Sequence, residues 1–185
     1  MRKHHEMKLA VVAYPHLAEG DRQRIESFRA EHDPQVSRIT LHFTLVFPFE
    51  RVPDELVQEM AVVARSTEPI AFAIRRTAVV PDGVGNGYHI LLVPDEGRGQ
   101  IAALHDRLYA GALRPYLRCD IPFVPHITVG AARDAQVAEG WTEALDVPSQ
   151  IVQGTVAGID LVDVGQHRVQ SVASYVLGSA ARTGR

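Results

Sequence analysis

Arg38-Ile39-Thr40-Leu41-His42-Phe43-Thr44-Leu45-Val46-Phe47-Pro48-Phe49 is the stretch on which the fold turns. Every second residue from Ile39 to Phe47 is large and apolar. Strand side chains alternate between faces, so Ile39, Leu41, Phe43, Leu45 and Phe47 are expected on one core-facing side. The other side then carries Arg38, Thr40, His42 and Thr44, a polar strip that is costly to bury unless it lines a wet groove. A shorter run, Phe123 to Gly130, repeats the pattern, with His126 and Thr128 opposite Ile127 and Val129. Two His-x-Thr strands in one chain are the feature to be explained.

At 185 residues the chain is long enough for one substantial core and short for two independent average domains, so residues 1–185 are expected to form one bilobal unit. The 46% hydrophobic and 22% charged content is that of an ordinary soluble protein, and no apolar run approaches the roughly 20 residues of a membrane helix. The charged start, Met1 to Lys8, leads into a run too short for a secretory signal, which implies a cytoplasmic location. The single Cys119 excludes an intramolecular disulfide and a Cys-rich metal knuckle. A formal net charge of −3 argues against a footprint on duplex DNA.

Outward from the central stretch, Leu9 to Tyr14 reads as a buried strand stopped by Pro15, and Glu19 to His32 as a helix with Ile25 and Phe28 inward. Pro53-Asp54 opens a second helix with Leu56, Met60 and Val63 on one stripe. Ile70–Val80 and Tyr88–Val93 read as a hairpin around the turn-rich link 81–87. Gly97 to Leu113 is helical in period, and a last helix runs from Arg133 to Leu145. Ile151–Val164 and Arg168–Leu177 form another apparent hairpin, around Gly165-Gln166, and residues 179–185 read as a frayed tail. Both halves therefore read helix, His-x-Thr strand, helix, two strands. The expected class is α+β: two mainly antiparallel sheets, each covered by helices on its outer face, with a groove between them.

Histidine, with an ordinary pKa of about 6.5, can give or take a proton at neutral pH. If His42 and His126 oppose one another across a phosphodiester, one can deprotonate an attacking water while the other protonates the leaving oxygen. Thr44 and Thr128, two residues on and on the same strand faces, can hydrogen-bond the phosphoryl oxygens. This chemistry needs no metal and no cofactor. The alternative is that both histidines merely hydrogen-bond in or near the core. Arg38 shares the face of His42, which makes it a candidate for a terminal phosphate or simply a surface arginine. Tyr14 can stack on a base or pack at the rim. His89 and His105 read as structural.

His42-Phe43-Thr44-Leu45-Val46-Phe47 and Pro125-His126-Ile127-Thr128-Val129 resemble the paired signatures of the two-histidine phosphoesterases, which include bacterial 2′-5′ RNA ligase-like proteins and cyclic phosphodiesterases. The resemblance implies a bilobal fold and metal-independent opening of a 2′,3′-cyclic phosphate, or a related phosphodiester, on a nucleotide or RNA end. It places the acid and base on His42 and His126 and the phosphate ligands on Thr44 and Thr128, in a protein expected to be a monomer. A non-catalytic module that holds the same ligand is the alternative. Some relatives carry an arginine five residues after the second histidine; here Ala131 stands there, and Arg133 is the nearest candidate for substrate binding. The Pro48-Phe49 ending also departs from the leucine-glycine common in that group.

Overall fold

The computed structural model describes residues 7–50, 54–83, 85–145, 150–165 and 167–178. Pro53, Val84, Gln166 and the 179–185 tail lie outside them. Strands β1 (Leu9–Ala13), β2 (His16–Leu17), β3 (Phe43–Phe49), β4 (Ile70–Pro81), β5 (Tyr88–Glu96), β6 (Ile127–Ala132), β7 (Val152–Val156), β8 (Gly158–Asp163) and β9 (Gln170–Val176) make two sheets. One runs β3-β1-β8-β9 and the other β2-β7-β4-β5-β6, and the pairings within both are antiparallel. Helices α1 (Glu19–His32), α2 (Leu56–Arg65), α3 (Arg98–Leu108) and α4 (Ala135–Leu145) complete the expected α+β class. Among the described residues no helix is long and apolar enough to cross a membrane.

Helices α1 and α4 lie against the sheet of β6, and α2 and α3 against β9 and β3 of the other. Where α1 meets α4, His32 stacks on Trp141 at 4.2 Å. The large core takes Leu9, Val11 and Ala13 from one face of β1 together with Ile70, Phe72 and Ile74 of β4, so it draws on both sheets. The other face of β1, Ala10 and Val12, joins Val162 in a small separate cluster that Tyr14 and Ile39 flank. With apolar cover on both faces, β1 is buried along its whole length, as its unbroken Leu-Ala-Val-Val-Ala run predicts.

The two lobes do not follow the two halves of the sequence. The run from Ile151 to Val164, expected to be one strand, breaks at Ala157: β7 joins β4 while β8 pairs with β1 in the other sheet. The C-terminal hairpin β8–β9 thus belongs with the first motif, and the middle hairpin β4–β5 with the second. The helix expected from Gly97 to Leu113 stops at Leu108, and a short 3-10 turn follows at Arg114–Tyr116. Gly97 starts it at φ 76°, a left-handed conformation that suits a residue without Cβ.

The first motif strand is shorter than its alternation implies. Pairing with β1 begins at Phe43, and residues 34–42 form turns and irregular backbone. Thr44 faces Val12 but Val46 faces Val11, a bulge that inserts an extra residue and inverts the alternation at Val46 and Phe47; a second register shift follows before Phe49, which is buried in the core again. Leu45 and Val46 are therefore both buried, while Phe47, expected in the core, turns into the groove. Ile39, also expected in the core, lies in the irregular segment and packs on the groove side. Helix α3 supports the bulge: His105 Nδ1 donates to the Leu45 carbonyl at 2.7 Å, and the Phe47 amide donates to the Tyr109 hydroxyl at 3.1 Å.

Candidate active site

The groove holds a cavity of about 330 Å³ lined by both His-x-Thr pairs. Val12 of β1 and Thr44 of β3 come from one sheet, His89 of β5 and Thr128 of β6 from the other, and Arg38 and Ile39 from the segment after α1. His42 and His126 each stand one residue ahead of a strand, so their positions depend on loop backbone rather than on the ladder.

Both loops fix the ring in the same way. His42 Nδ1 donates to the carbonyl of Thr40 at 2.9 Å, and His126 Nδ1 donates to the carbonyl of Val124 at 2.7 Å. A carbonyl only accepts, so each Nδ1 carries the hydrogen, and Nε2 is the nitrogen left for other partners. In the neutral ring Nε2 is a base, and in the imidazolium it is an acid.

Electrostatics keep both rings easy to deprotonate. Burial, the largest cause, pushes His42 below the ordinary 6.5, and the Arg29 guanidinium and the like charge of His126 push the same way. The bond to Thr40 and the Asp33 carboxylate oppose the fall. His126 is lowered chiefly by burial and also by His89, against the bond to Val124. His126 is thus near enough for His42 to feel its charge.

The other expected residues divide. Arg38 lines the cavity, with Nη1 donating to Gln35 Oε1 at 3.0 Å and Nη2 to the Val164 carbonyl at 3.3 Å. Tyr14 stands edge-on to His42, ring centres 6.5 Å apart, and burial with help from Asp160 raises its phenol above the ordinary 10. Arg133 is not brought to this cavity. It is exposed and lines a separate hollow with Asp82, Gly85, Asn86 and Tyr88 at the β4–β5 turn.

Three groups in the cavity escaped the sequence reading. Arg29 and Asp33 are buried and paired, Arg29 Nη2 to Asp33 Oδ2 at 2.8 Å. They also hold the segment that carries His42: Arg29 Nη2 donates to the Ile39 carbonyl at 2.8 Å, and Asp33 Oδ1 accepts from the Gln35 amide at 2.8 Å. The signal was there, because Arg29 lies one helical turn beyond Ile25 on the inward face, and Asp33 another turn on. His89 is the third. Its Nδ1 is buried with no hydrogen-bond partner among the described residues, and its Nε2 lies 3.6 Å from Asp82. Alternation against the buried Ile90 and Leu92 places it on the groove face. Among the described residues no three His, Cys, Asp or Glu side chains converge as a metal site would need.

The profile of the 2'-5' RNA ligase superfamily matches residues 16–168. A Bacillus pumilus protein provisionally named a phosphoesterase is 33% identical over 127 residues, 66% of this chain and 69% of its own. Among solved structures, that of TT0787 from Thermus thermophilus superposes with a TM-score of 0.60 at 18% identity, over 93% of this chain and 98% of the other. E. coli LigT complexed with 3'-AMP gives 0.54 at 20% identity, over 93% and 98%. The chain belongs to the 2'-5' RNA ligase superfamily of two-histidine phosphoesterases.

Proposed function

We propose that this phosphoesterase opens a 2′,3′-cyclic phosphate on a nucleotide or RNA end by two-histidine acid/base catalysis. The carrying observation is that His42 and His126, each with Nδ1 tied to a carbonyl two residues back, line one cavity together with Thr44 and Thr128. In the forward step the neutral Nε2 of one histidine takes a proton from water as its oxygen bonds to phosphorus. The bond from phosphorus to one ribose oxygen breaks, and the other histidine, as imidazolium, gives that oxygen its proton. The product is a ribose with one free hydroxyl and one phosphate monoester. The histidines exchange roles in reverse, so the same site serves ester formation when an alcohol replaces water.

Thr44 and Thr128 hydroxyls bind the non-bridging oxygens as charge develops, Arg38 supplies positive charge, and Tyr14 borders the ring of His42. Arg133, in its separate hollow, has no part in this scheme. Two imidazoles account for both proton transfers, so the reaction is expected to run in EDTA. The neighbour complexed with 3'-AMP favours a nucleotide ligand.

The test is product analysis on adenosine 2′,3′-cyclic phosphate in EDTA. Each of His42→Ala and His126→Ala should lower kcat by about 10²–10⁴-fold while the circular dichroism spectrum is kept. Binding without turnover by the wild type would leave a ligand-holding module instead. Turnover that needs added zinc would reject the metal-free mechanism.

A further inference from the structure

Three histidines line the cavity, and the third carries its hydrogen on the opposite nitrogen from the other two. His42 and His126 each spend Nδ1–H on a backbone carbonyl and keep a lone pair on Nε2. His89 reverses this. Its Nδ1 is buried with no partner among the described residues, so a hydrogen there would find no acceptor. Its Nε2 lies beside a carboxylate, Asp82 Oδ1 at 3.6 Å, which draws the hydrogen to that side. At 3.6 Å the contact is too long for a hydrogen bond, so the Nε2–H is still to be used. The side chain is 37% exposed, within reach of a ligand.

Pairing of β5 with β6 sets this ring beside Thr128. Leu91 faces Thr128 and His89 faces Ala131, so along the groove face Thr128 stands between His126 and His89. Resting on the reading above, we propose that His89 donates its Nε2–H to the phosphoryl oxygen that Thr128 holds, as a third donor and not a third acid or base. With its lone pair on the buried Nδ1, the neutral ring cannot take a proton from water. A buried acceptor without a partner also costs stability, and the chain carries that cost at the wall of the cavity that holds both His-x-Thr pairs. A histidine present only for packing gains nothing from the unpaired nitrogen, since leucine fills the place without it.

The test measures activity and stability together in His89→Leu, His89→Gln and His89→Asn, on adenosine 2′,3′-cyclic phosphate in EDTA. Glutamine carries its NH2 near the place of Nε2, and asparagine near that of Nδ1. His89→Leu should lower kcat/KM by about 10–100-fold, the worth of one hydrogen bond to a charged oxygen, while the thermal midpoint stays level or rises because the unpaired acceptor is gone. His89→Gln should recover part of the loss, and His89→Asn none. The pH profile of kcat/KM should keep both limbs in all three; loss of a limb would make His89 an acid or base and overturn the assignment. Full activity in His89→Leu would also overturn it, as would equal losses in His89→Leu and His89→Gln, or a midpoint lowered by more than about 4 °C in His89→Leu, the mark of a structural histidine. Should wild type turn over nothing, the hydrolytic reading fails and His89 is judged by calorimetry with 3′-AMP. Binding weakened in His89→Leu and restored in His89→Gln would uphold the assignment, and equal binding would overturn it.

Discussion

Changing Asp33 to Asn tests whether the ion pair with Arg29 supports the site. Arg29 is 1% exposed, and Asp33 6%. Asparagine keeps the shape and, through Oδ1, the acceptor for the Gln35 amide, but it puts an NH2 donor where Oδ2 accepts from Arg29 Nε and Nη2, so the change removes the charge and that acceptor together. Breaking a buried pair typically costs about 3–5 kcal/mol, because the remaining charge is left uncompensated. Here Glu26 stays 3.1 Å from Arg29 Nη1, with a side chain 31% exposed, so some compensation survives and the lower figure, about 3 kcal/mol, applies. Against a total of about 5–15 kcal/mol that is a large fraction. With a urea slope of about 1–3 kcal/mol/M, the unfolding midpoint should fall by roughly 1–3 M. Arg29→Met/Asp33→Asn, which leaves no unpaired cation, should be less destabilised than Asp33→Asn alone. Because the pair holds the backbone that carries His42, Asp33→Asn should also lower kcat/KM, by up to about 100-fold for a displacement near 1 Å. A loss of stability under about 1 kcal/mol, or a double variant as unstable as the sum of the singles, would refute this account.

Three further outcomes are expected. Burial lowers both histidines from 6.5, so at pH 7 the acid form is scarce. The kcat/KM profile should therefore rise as the pH falls from 7 and peak on the acid side of 6.5, whereas kcat should peak higher, because a bound phosphate favours the imidazolium; a kcat/KM optimum above about pH 7 would contradict this. Thr44→Val and Thr128→Val should each lower kcat by about 10²–10³-fold with KM little changed, read from steady-state kinetics on a cyclic nucleotide. His105→Ala strands the buried Leu45 carbonyl and frees Phe123, and thermal unfolding should show a loss of about 2–4 kcal/mol.

Much of this arrangement was legible because local pattern and tertiary burial agree. Helix Glu19–His32 falls where Ile25 and Phe28 set a period and Asp33-Pro34 ends it. Both His-x-Thr pairs stand out because a polar residue at every second place is unusual in an apolar strand. Other features left no local trace. The alternation from Ile39 to Phe47 fits an unbroken strand as well as a bulged one, and only the pairing with β1 and the bonds from His105 and Tyr109 decide between them. The parting of β7 from β8 at Ala157 is equally silent, because each strand is apolar for its own sheet. Arg133 reads as a site residue only through the resemblance, as the arginine nearest the position where some relatives carry one. His89, dismissed for want of a motif, is the nearer group in space.

The exchange of hairpins between the sheets bears on how the protein is made. Strand β1 is synthesised about 150 positions ahead of β8, its neighbour opposite β3. Until residue 163 has left the ribosome, the edge of β1 stays open, and the lobe that carries His42 is a two-stranded ribbon of the kind that is marginal in water. A nascent chain halted near residue 150 should therefore resist neither protease nor aggregation, and expressing the two halves as separate pieces should yield neither lobe.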